Sequence, residues 1–425
     1  MRIDAVILRE VGPFDDVRIE LPEGTNPELA DVYLLTGPNG CGKTTVLYAI
    51  AALLDNDPSL LRPRMRTERS RASIVASGQE RSMTPTGGPD LTALDVISEG
   101  RPLGPLDDYT TRAFLHGNVP VKLTWAAFAY AGTRKVGSGR VAAISEPSIS
   151  PLAASLSFHH TANTGNLAQW VANQEFKRLK AKEAGRSDRA EQIARSVRAI
   201  EQTVAKIIDD PSFAFVSGSD FDLDVRVRRH GVVLDMDVLP EGVKSIVSWV
   251  ADLLMRLDRI PWADDTPTME RSFLLLLDEI DIHLHPAWQR QVIPIVQKLF
   301  PKAQIIASTH SPFVVGSADD AHIITFAVKD GVSVVESNKP SQVGVSYSAV
   351  LRDIFGVTSE FDVETERMLA EFHDAKTRLL EGSTTDRAIV DHLARKLAAR
   401  GEELSSILGS ELRQIDRHLK KQIVG

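Results

Sequence analysis

The 425-residue chain has one cysteine, Cys41. A disulfide within it is impossible, and a cysteine-based zinc site or zinc hook is excluded. Such sparing use of cysteine fits a reducing, cytoplasmic setting. A large excess of one charge is missing too. Lys plus Arg is 49 and Asp plus Glu is 57, a formal charge of −8. That argues against wholesale coating of nucleic acid, though not against a local basic strip. No apolar run approaches the ~18 residues needed to span a bilayer. Residues 1–14 are charged and strand-like, without the apolar core of a signal peptide. No membrane partner is expected. Nor is there an internal repeat or a long run of heptads. Residues 167–209 are helical in pattern and heavily charged, but broken near Gly185. Two short helices fit that stretch; the stalk of a long coiled coil does not.

What is present is an alternation of strand and helix patterns, an α/β chain. Residues 2–21 alternate apolar and polar as antiparallel strands do. Residues 32–36 read as a buried strand and 45–54 as an apolar-faced helix. Residues 55–117 are rich in Pro, Gly, Ser and Arg and read as irregular. Another strand is expected within 121–131, then loop to 151. Residues 213–238 read as a hairpin turning at His230-Gly231. There Asp220, Asp222 and Asp224 alternate with Phe221, Leu223 and Val225, the period of a solvent-facing strand edge rather than of a metal site. A helix is expected over 243–257, two short strands over 322–336, and amphipathic helix from Ser348 onward. The division expected is a head over 1–340 and a helical region over 341–425. The head's phosphate-binding lobe would come from 1–60 and 240–340, with 61–239 inserted.

Four motifs carry chemistry. Residues 37–44 read Gly-Pro-Asn-Gly-Cys-Gly-Lys-Thr, a P-loop. Glycines let the backbone wrap phosphates and aim its N–H groups inward. Gly37, Pro38, Asn39, Gly40, Cys41, Gly42, Lys43, Thr44 and Thr45 are therefore expected to hold ATP, with Lys43 on the β- and γ-phosphates and Thr44 on Mg²⁺. An apolar run, 273–277, ends in Asp278-Glu279. A carboxylate there is costly unless paired, and the Mg²⁺ sphere is its natural partner. Glu279 is then placed to polarise the attacking water. A second apolar run, 304–308, ends in Thr309-His310, where His310 is placed to sense the γ-phosphate. Ahead of both lies Leu239-Pro-Glu-Gly-Val-Lys-Ser245, at the start of a helical pattern. His283 and His285 invite a metal reading, but no cysteine or further histidine lies near in sequence. Packing at a subunit boundary is the better reading, with Asp281 bridging two sites.

This series resembles the ABC-type ATPases of the RecF/OLD/SMC-like branch, and the expected fold is that branch's bipartite P-loop head with a mixed β-sheet lobe. More narrowly, Leu-Leu-Leu-Asp-Glu-Ile-Asp-Ile-His-Leu-His-Pro-Ala-Trp-Gln and Ser-Thr-His-Ser-Pro resemble the ATPase subunits of Septu-type bacterial anti-phage systems and their retron-associated relatives. Those subunits work with a separate HNH nuclease. The segment 351–357 also resembles the C-terminal region of that group. The resemblance implies a homodimer, or a higher oligomer, with ATP sandwiched between heads. Lys43, Thr44, Asp278, Glu279 and His310 would come from one subunit and the 239–245 segment from the other. Pro240 departs from the pattern, where serine is usual; it lacks hydroxyl and N–H. Gly242 backbone, Ser245 and Lys244 are the remaining donors, so turnover is expected to be slow or partner-dependent. Gln79 and Gln169 are candidates for the Mg²⁺-sensing glutamine, and Arg134 matches an arginine of related ATPases. An Asp-x-Asp pair after His310, as OLD-type nucleases carry, is absent, so no nuclease activity of its own is expected.

Three basic groups bear on nucleic acid: Arg62, Arg64, Arg66, Arg69 and Arg71; Lys177, Arg178, Lys180 and Lys182; and Arg413, Arg417, Lys420 and Lys421. Each is ordinarily a solvated face. If one binds, phosphate contact without sequence reading is expected. The leading expectation is a Mg-ATPase that controls a partner nuclease in phage defence. The alternatives are a RecF-like repair ATPase acting on DNA and a nucleotide-gated scaffold with negligible turnover.

Overall fold

A computed structural model describes the chain apart from residues 56, 87–92, 100–121, 133–138, 146–149, 159–161, 163, 218–222, 343, 360, 382–385 and 425. Arg134, Asp220 and Asp222 lie outside the described residues. Two compact units emerge, Met1–Val350 and Leu351–Gly425.

In the larger unit, β1 (Ala5–Val11) and β2 (Phe14–Glu20) form the hairpin that the alternation predicts. Then come β3 (Asp31–Thr36) and α1 (Lys43–Asp55). The stretch read as irregular instead holds β4 (Arg71–Ala76), β5 (Gln79–Thr86) and β6 (Ala93–Glu99). These extend the hairpin into an antiparallel sheet of order β2-β1-β4-β5-β6. Polar and turn residues hid the pattern. Burial of Ala72, Ile74, Ala76 and Met83, with pairing of β4 to β1 some sixty residues away, overrides weak local preference.

The strand expected within 121–131 is shorter, β7 (Ala126–Tyr130), because Leu123 bridges to Trp262 instead. Helices α2 (Thr164–Glu183) and α3 (Ser187–Ile208) are broken at Gly185, whose φ of 68° glycine adopts freely. Strands β8 (Ala214–Ser217), β9 (Val225–Arg229) and β10 (Val232–Asp235) make a small antiparallel sheet. His230 and Gly231 turn β9 into β10 with φ of 47° and 79°, as a tight hairpin requires. Then α4 (Glu241–Ile246) passes through a π-helical stretch, Val247–Ala251, into α5 (Asp252–Arg259).

The remaining elements are β11 (Phe273–Leu277), α6 (Pro286–Leu299), β12 (Gln304–Ser308), α7 (Pro312–Val315), β13 (Ala321–Lys329), β14 (Val332–Pro340) and α8 (Tyr347–Asp353). A six-stranded sheet runs β14-β13-β3-β12-β11-β7, parallel except for β14. Its inner strands are buried on both faces, which explains why 273–277 is apolar without alternation. Helix α1 packs in one core with residues of both large sheets. It is buried nearly all round, from Val46 to Leu54, as a core helix must be. Each such Leu or Ile contributes about 1.5–3 kcal/mol.

One charged network is interior. Arg256 donates to Asp252 at 2.6 Å and to the Pro151 and Ala153 carbonyls at 2.7 and 3.0 Å. The Tyr130 hydroxyl donates to Asp252 at 2.9 Å. The carboxylate beside it holds Arg256 charged against the burial that disfavours it.

The smaller unit comprises α9 (Val363–Leu380), α10 (Asp386–Ala398) and α11 (Glu402–Val424) around Phe372, Val390, Leu397 and Leu408. Asp362 caps α9 by accepting from the Glu364 and Thr365 N–H groups. Ion pairs Lys376–Glu411 and Arg387–Asp416 tie α11 to the other two helices. Among the described residues no helix is long and apolar enough to cross a membrane.

Candidate functional site

Strands β3, β12 and β11 are neighbours and parallel, so their C-terminal ends meet on one edge of the sheet. That edge is where open α/β sheets bind ligands. It gathers the P-loop, Asp278-Glu279 and Thr309-His310.

Two P-loop glycines are demanded by space as well as φ. A Cβ on Gly37 (φ 140°) would stand 2.5 Å from the Phe326 carbonyl oxygen. One on Gly42 (φ 97°) would collide with the Phe14 ring. Lys43 Nζ donates to the Gly37 and Pro38 carbonyls at 2.9 and 3.0 Å and lies 3.8 Å from Cys41 Sγ. Burial lowers the Lys43 pKa, while Cys41, Asp278 and Glu279 pull it back up. Cys41 and Thr45 are themselves buried.

Thr44 Oγ1 donates to Asp278, 2.9 and 3.1 Å from its two oxygens. Ser308 Oγ donates to Asp278 Oδ1 at 2.6 Å and accepts from the Glu279 N–H at 2.7 Å. Glu279 takes φ 48°, uncommon for a side chain without local hydrogen bonding of its own backbone. A carboxylate and a hydroxyl in contact are the hard oxygen donors that Mg²⁺ takes. The Thr44–Asp278 pair therefore fits that ion.

Beyond it, Asp281 Oδ1 accepts from Thr309 Oγ1 at 2.6 Å and from the His310 N–H at 3.2 Å. Within its own chain, Asp281 thus holds the Thr309-His310 corner. Gln289 donates to the Asp281 and Leu284 carbonyls at 3.1 and 2.9 Å and accepts from Ser311 Oγ at 2.6 Å. These bonds stitch the loop after β11 to the loop after β12. His310 stays exposed at this edge. Burial of part of its ring, with Lys43 nearby, lowers its pKa; Asp281 and Asp278 oppose that. His285 Nδ1 accepts from the Ala287 N–H at 3.3 Å, capping α6, so its ring has a structural task.

The segment 239–245 packs against its own chain. Pro240 immediately precedes α4 and its carbonyl accepts from the Lys244 N–H at 3.0 Å. Gly242 and Ser245, expected to reach a facing nucleotide, are both buried, Ser245 at 2 % exposure. A Cβ on Gly242 would lie 2.6 Å from the His283 carbonyl oxygen and 3.0 Å from the Trp288 ring. The glycine thus serves close packing of α4 on the loop after β11. Lys244 pairs with exposed Glu241 at 2.8 Å.

Gln169 donates to the Ala143 carbonyl and Asn173, and Gln79 is buried at the start of β5. Much of the first arginine group is committed internally. Arg64 lies 4.5 Å over the Tyr48 ring, Arg66 pairs with Asp15, and Arg71 with Glu80. Arg178 pairs with Glu175 and Lys180 with Glu183. Sequence reasoning missed Ser308, Gln289 and Ser311; only their adjacency to the two motifs could have pointed to them.

Two family models match the chain. One, described as "AAA domain, putative AbiEii toxin, Type IV TA system", covers residues 140–316; the other, "AAA domain", covers 5–87. The second takes in the P-loop and the first takes in Asp278, Glu279 and His310. Over part of its length the chain is thus similar to AAA domains, to a retron ATPase and to a Septu protein. It is 34% identical over 122 residues to the "Retron Ec83 probable ATPase" of Escherichia coli, covering 27% of this chain and 22% of that protein. It is 27% identical over 179 residues to the Septu protein PtuA of Bacillus thuringiensis, covering 39% and 45%. In each case the match spans less than half of the relative's length. Among solved structures, an Smc head bound to the C-terminal winged-helix domain of ScpA aligns over 80% of this chain and 98% of its own, at TM-score 0.48 and 14% identity.

Proposed function

We propose that this chain is a Mg²⁺-dependent ATPase that dimerises through nucleotide and regulates a separate nuclease subunit in anti-phage defence. The observation that carries the reading is the joined set of Lys43, Thr44, Asp278, Glu279 and His310 at one sheet edge. The Septu and retron names of the relatives support the biological setting.

In hydrolysis, Lys43 leaves the loop carbonyls for the β- and γ-phosphates, guided by its charge. Thr44 and Asp278 would hold Mg²⁺, which would supply neutralisation of phosphate charge. Glu279 accepts a proton from the attacking water as oxygen bonds to the γ-phosphorus and the bond to the bridging oxygen breaks. His310, at the exposed edge, donates a hydrogen bond to the γ-phosphate. The helical unit, residues 351–425, holds the nuclease subunit, with an HNH type expected. With Ser245 and Gly242 inside the fold, a facing head would be met by Glu241, Lys244 and the backbone N–H groups of that turn.

The test is phage plating on cells carrying this chain with its neighbouring genes, beside Lys43→Ala. Protection lost in the variant supports an ATP-dependent defence role. In parallel, Glu279→Gln should cut turnover about 10²–10⁴-fold and accumulate an ATP-bound dimer on size-exclusion chromatography. Dimerisation indifferent to ATP and to Glu279→Gln refutes the sandwich. Salt-sensitive DNA binding by the isolated chain, without protection, points to repair instead.

A further inference from the structure

Strand β11 ends at Leu277 and the backbone turns left-handed at Glu279. Two contacts from other elements flank it. On one side, Ser308 Oγ accepts the Glu279 N–H at 2.7 Å while donating to Asp278 Oδ1 at 2.6 Å. Ser308 ends β12 and is 1 % exposed, so its hydroxyl has little freedom to turn elsewhere. On the other side lies Gly132, just past β7. A Cβ there would stand 2.6 Å from both Glu279 Cβ and Glu279 Oε2.

We infer that Ser308 is a positioning residue: its single hydroxyl locks the Asp278 carboxylate and the Glu279 backbone in fixed relation, and Gly132 keeps open the space the Glu279 side chain occupies. This rests on the hydrolytic reading above. One hydroxyl serves both acidic residues. Ser308 holds Asp278 Oδ1 at 2.6 Å, while Thr44 Oγ1 lies 3.1 Å from that oxygen and 2.9 Å from Oδ2, so the carboxylate is fixed from two sides. Holding the Glu279 N–H fixes the direction in which its carboxylate leaves the backbone. A misplacement of about 1 Å at a general base costs on the order of 10²-fold in rate.

The experiment measures steady-state ATP hydrolysis at saturating Mg²⁺ by the full chain. The variants are Ser308→Ala, Ser308→Thr, Gly132→Ala and Lys43→Ala, each also followed by thermal melting. Ser308→Ala removes a charge-assisted hydrogen bond, so kcat should fall about 10- to 100-fold with KM for ATP within about twofold. Ser308→Thr should restore most of the rate. Gly132→Ala leaves the bonds to Asp278 intact and should lower kcat similarly, again without a matching change in KM. Wild-type kcat in both Ser308→Ala and Gly132→Ala overturns the inference. So does a loss of rate that tracks KM or melting, since that marks general misfolding. If the unsubstituted chain turns over no faster than Lys43→Ala, the hydrolytic reading itself fails, and the inference with it.

Discussion

Gly242→Ala separates two roles for one residue. In a trans phosphate contact, the glycine matters only when nucleotide joins two heads. In the packing described above, it matters in the resting chain. The added methyl would start 2.6 Å from the His283 carbonyl oxygen and 3.0 Å from the Trp288 ring. Backbone on one side and a large ring on the other leave no flexible tip to yield. The loop must shift by several tenths of an ångström, at a cost of about 1–3 kcal/mol for overpacking. Movement of His283 acts on a loop whose Asp281 holds Thr309 and His310. At about 2–4 °C per kcal/mol, the melting midpoint should fall by roughly 2–12 °C without nucleotide. ATP turnover should fall as well. Differential scanning fluorimetry with and without Mg-ATP is the assay. A melting point equal to wild type without nucleotide, combined with loss of ATP-induced dimer, would refute the packing account and restore the trans role.

Further predictions concern charge and the smaller unit. Arg256→Ala leaves Asp252 and two carbonyls without their buried partner and should cost about 3–5 kcal/mol in urea unfolding; a Leu at 256 with Asn at 252 should recover part of it. For His310, the folded pKa lies below the ordinary 6.5. The unfolded chain therefore binds more protons in the window between the two values. Stability should rise with pH through that window and level off above about 6.5, and His310→Gln should flatten this component of the melting profile between pH 5 and 8. Phe372→Ala should loosen the helical unit by about 3–5 kcal/mol, seen as faster proteolysis within residues 351–425 with ATP binding retained.

The P-loop and the acidic pair were legible because few residue types satisfy such geometry. Gly42 beside the Phe14 ring and Asp278 at the end of a buried strand leave few substitutes. The β4–β6 strands were not legible, since Arg71, Ser73 and Ser82 obscure a pattern completed only by distant pairing with β1. Ser308 looks like any serine at a strand end; its role comes from the neighbouring strand, not from its own sequence context. The resemblance implies a phosphate contact for Gly242, and its packing against His283 and Trp288 is a feature of the fold that no local pattern shows. Arg64, Arg66 and Arg71 read as a solvated group with phosphate contact as the alternative; their partners, the Tyr48 ring, Asp15 and Glu80, are set by the fold and no local pattern shows them.

The order of strands has a consequence for synthesis. Strand β3, which carries the P-loop, is flanked by β12 and β13, so both its neighbours are made more than 260 residues later. Until then, an apolar strand and its helix wait with two unpaired edges. Contacts this distant in sequence form slowly, and exposed edges invite aggregation. On the ribosome, the strand ends of this edge can come together only after His310 has emerged. A chain truncated before β11 would therefore carry an intact P-loop sequence without the strands that flank β3.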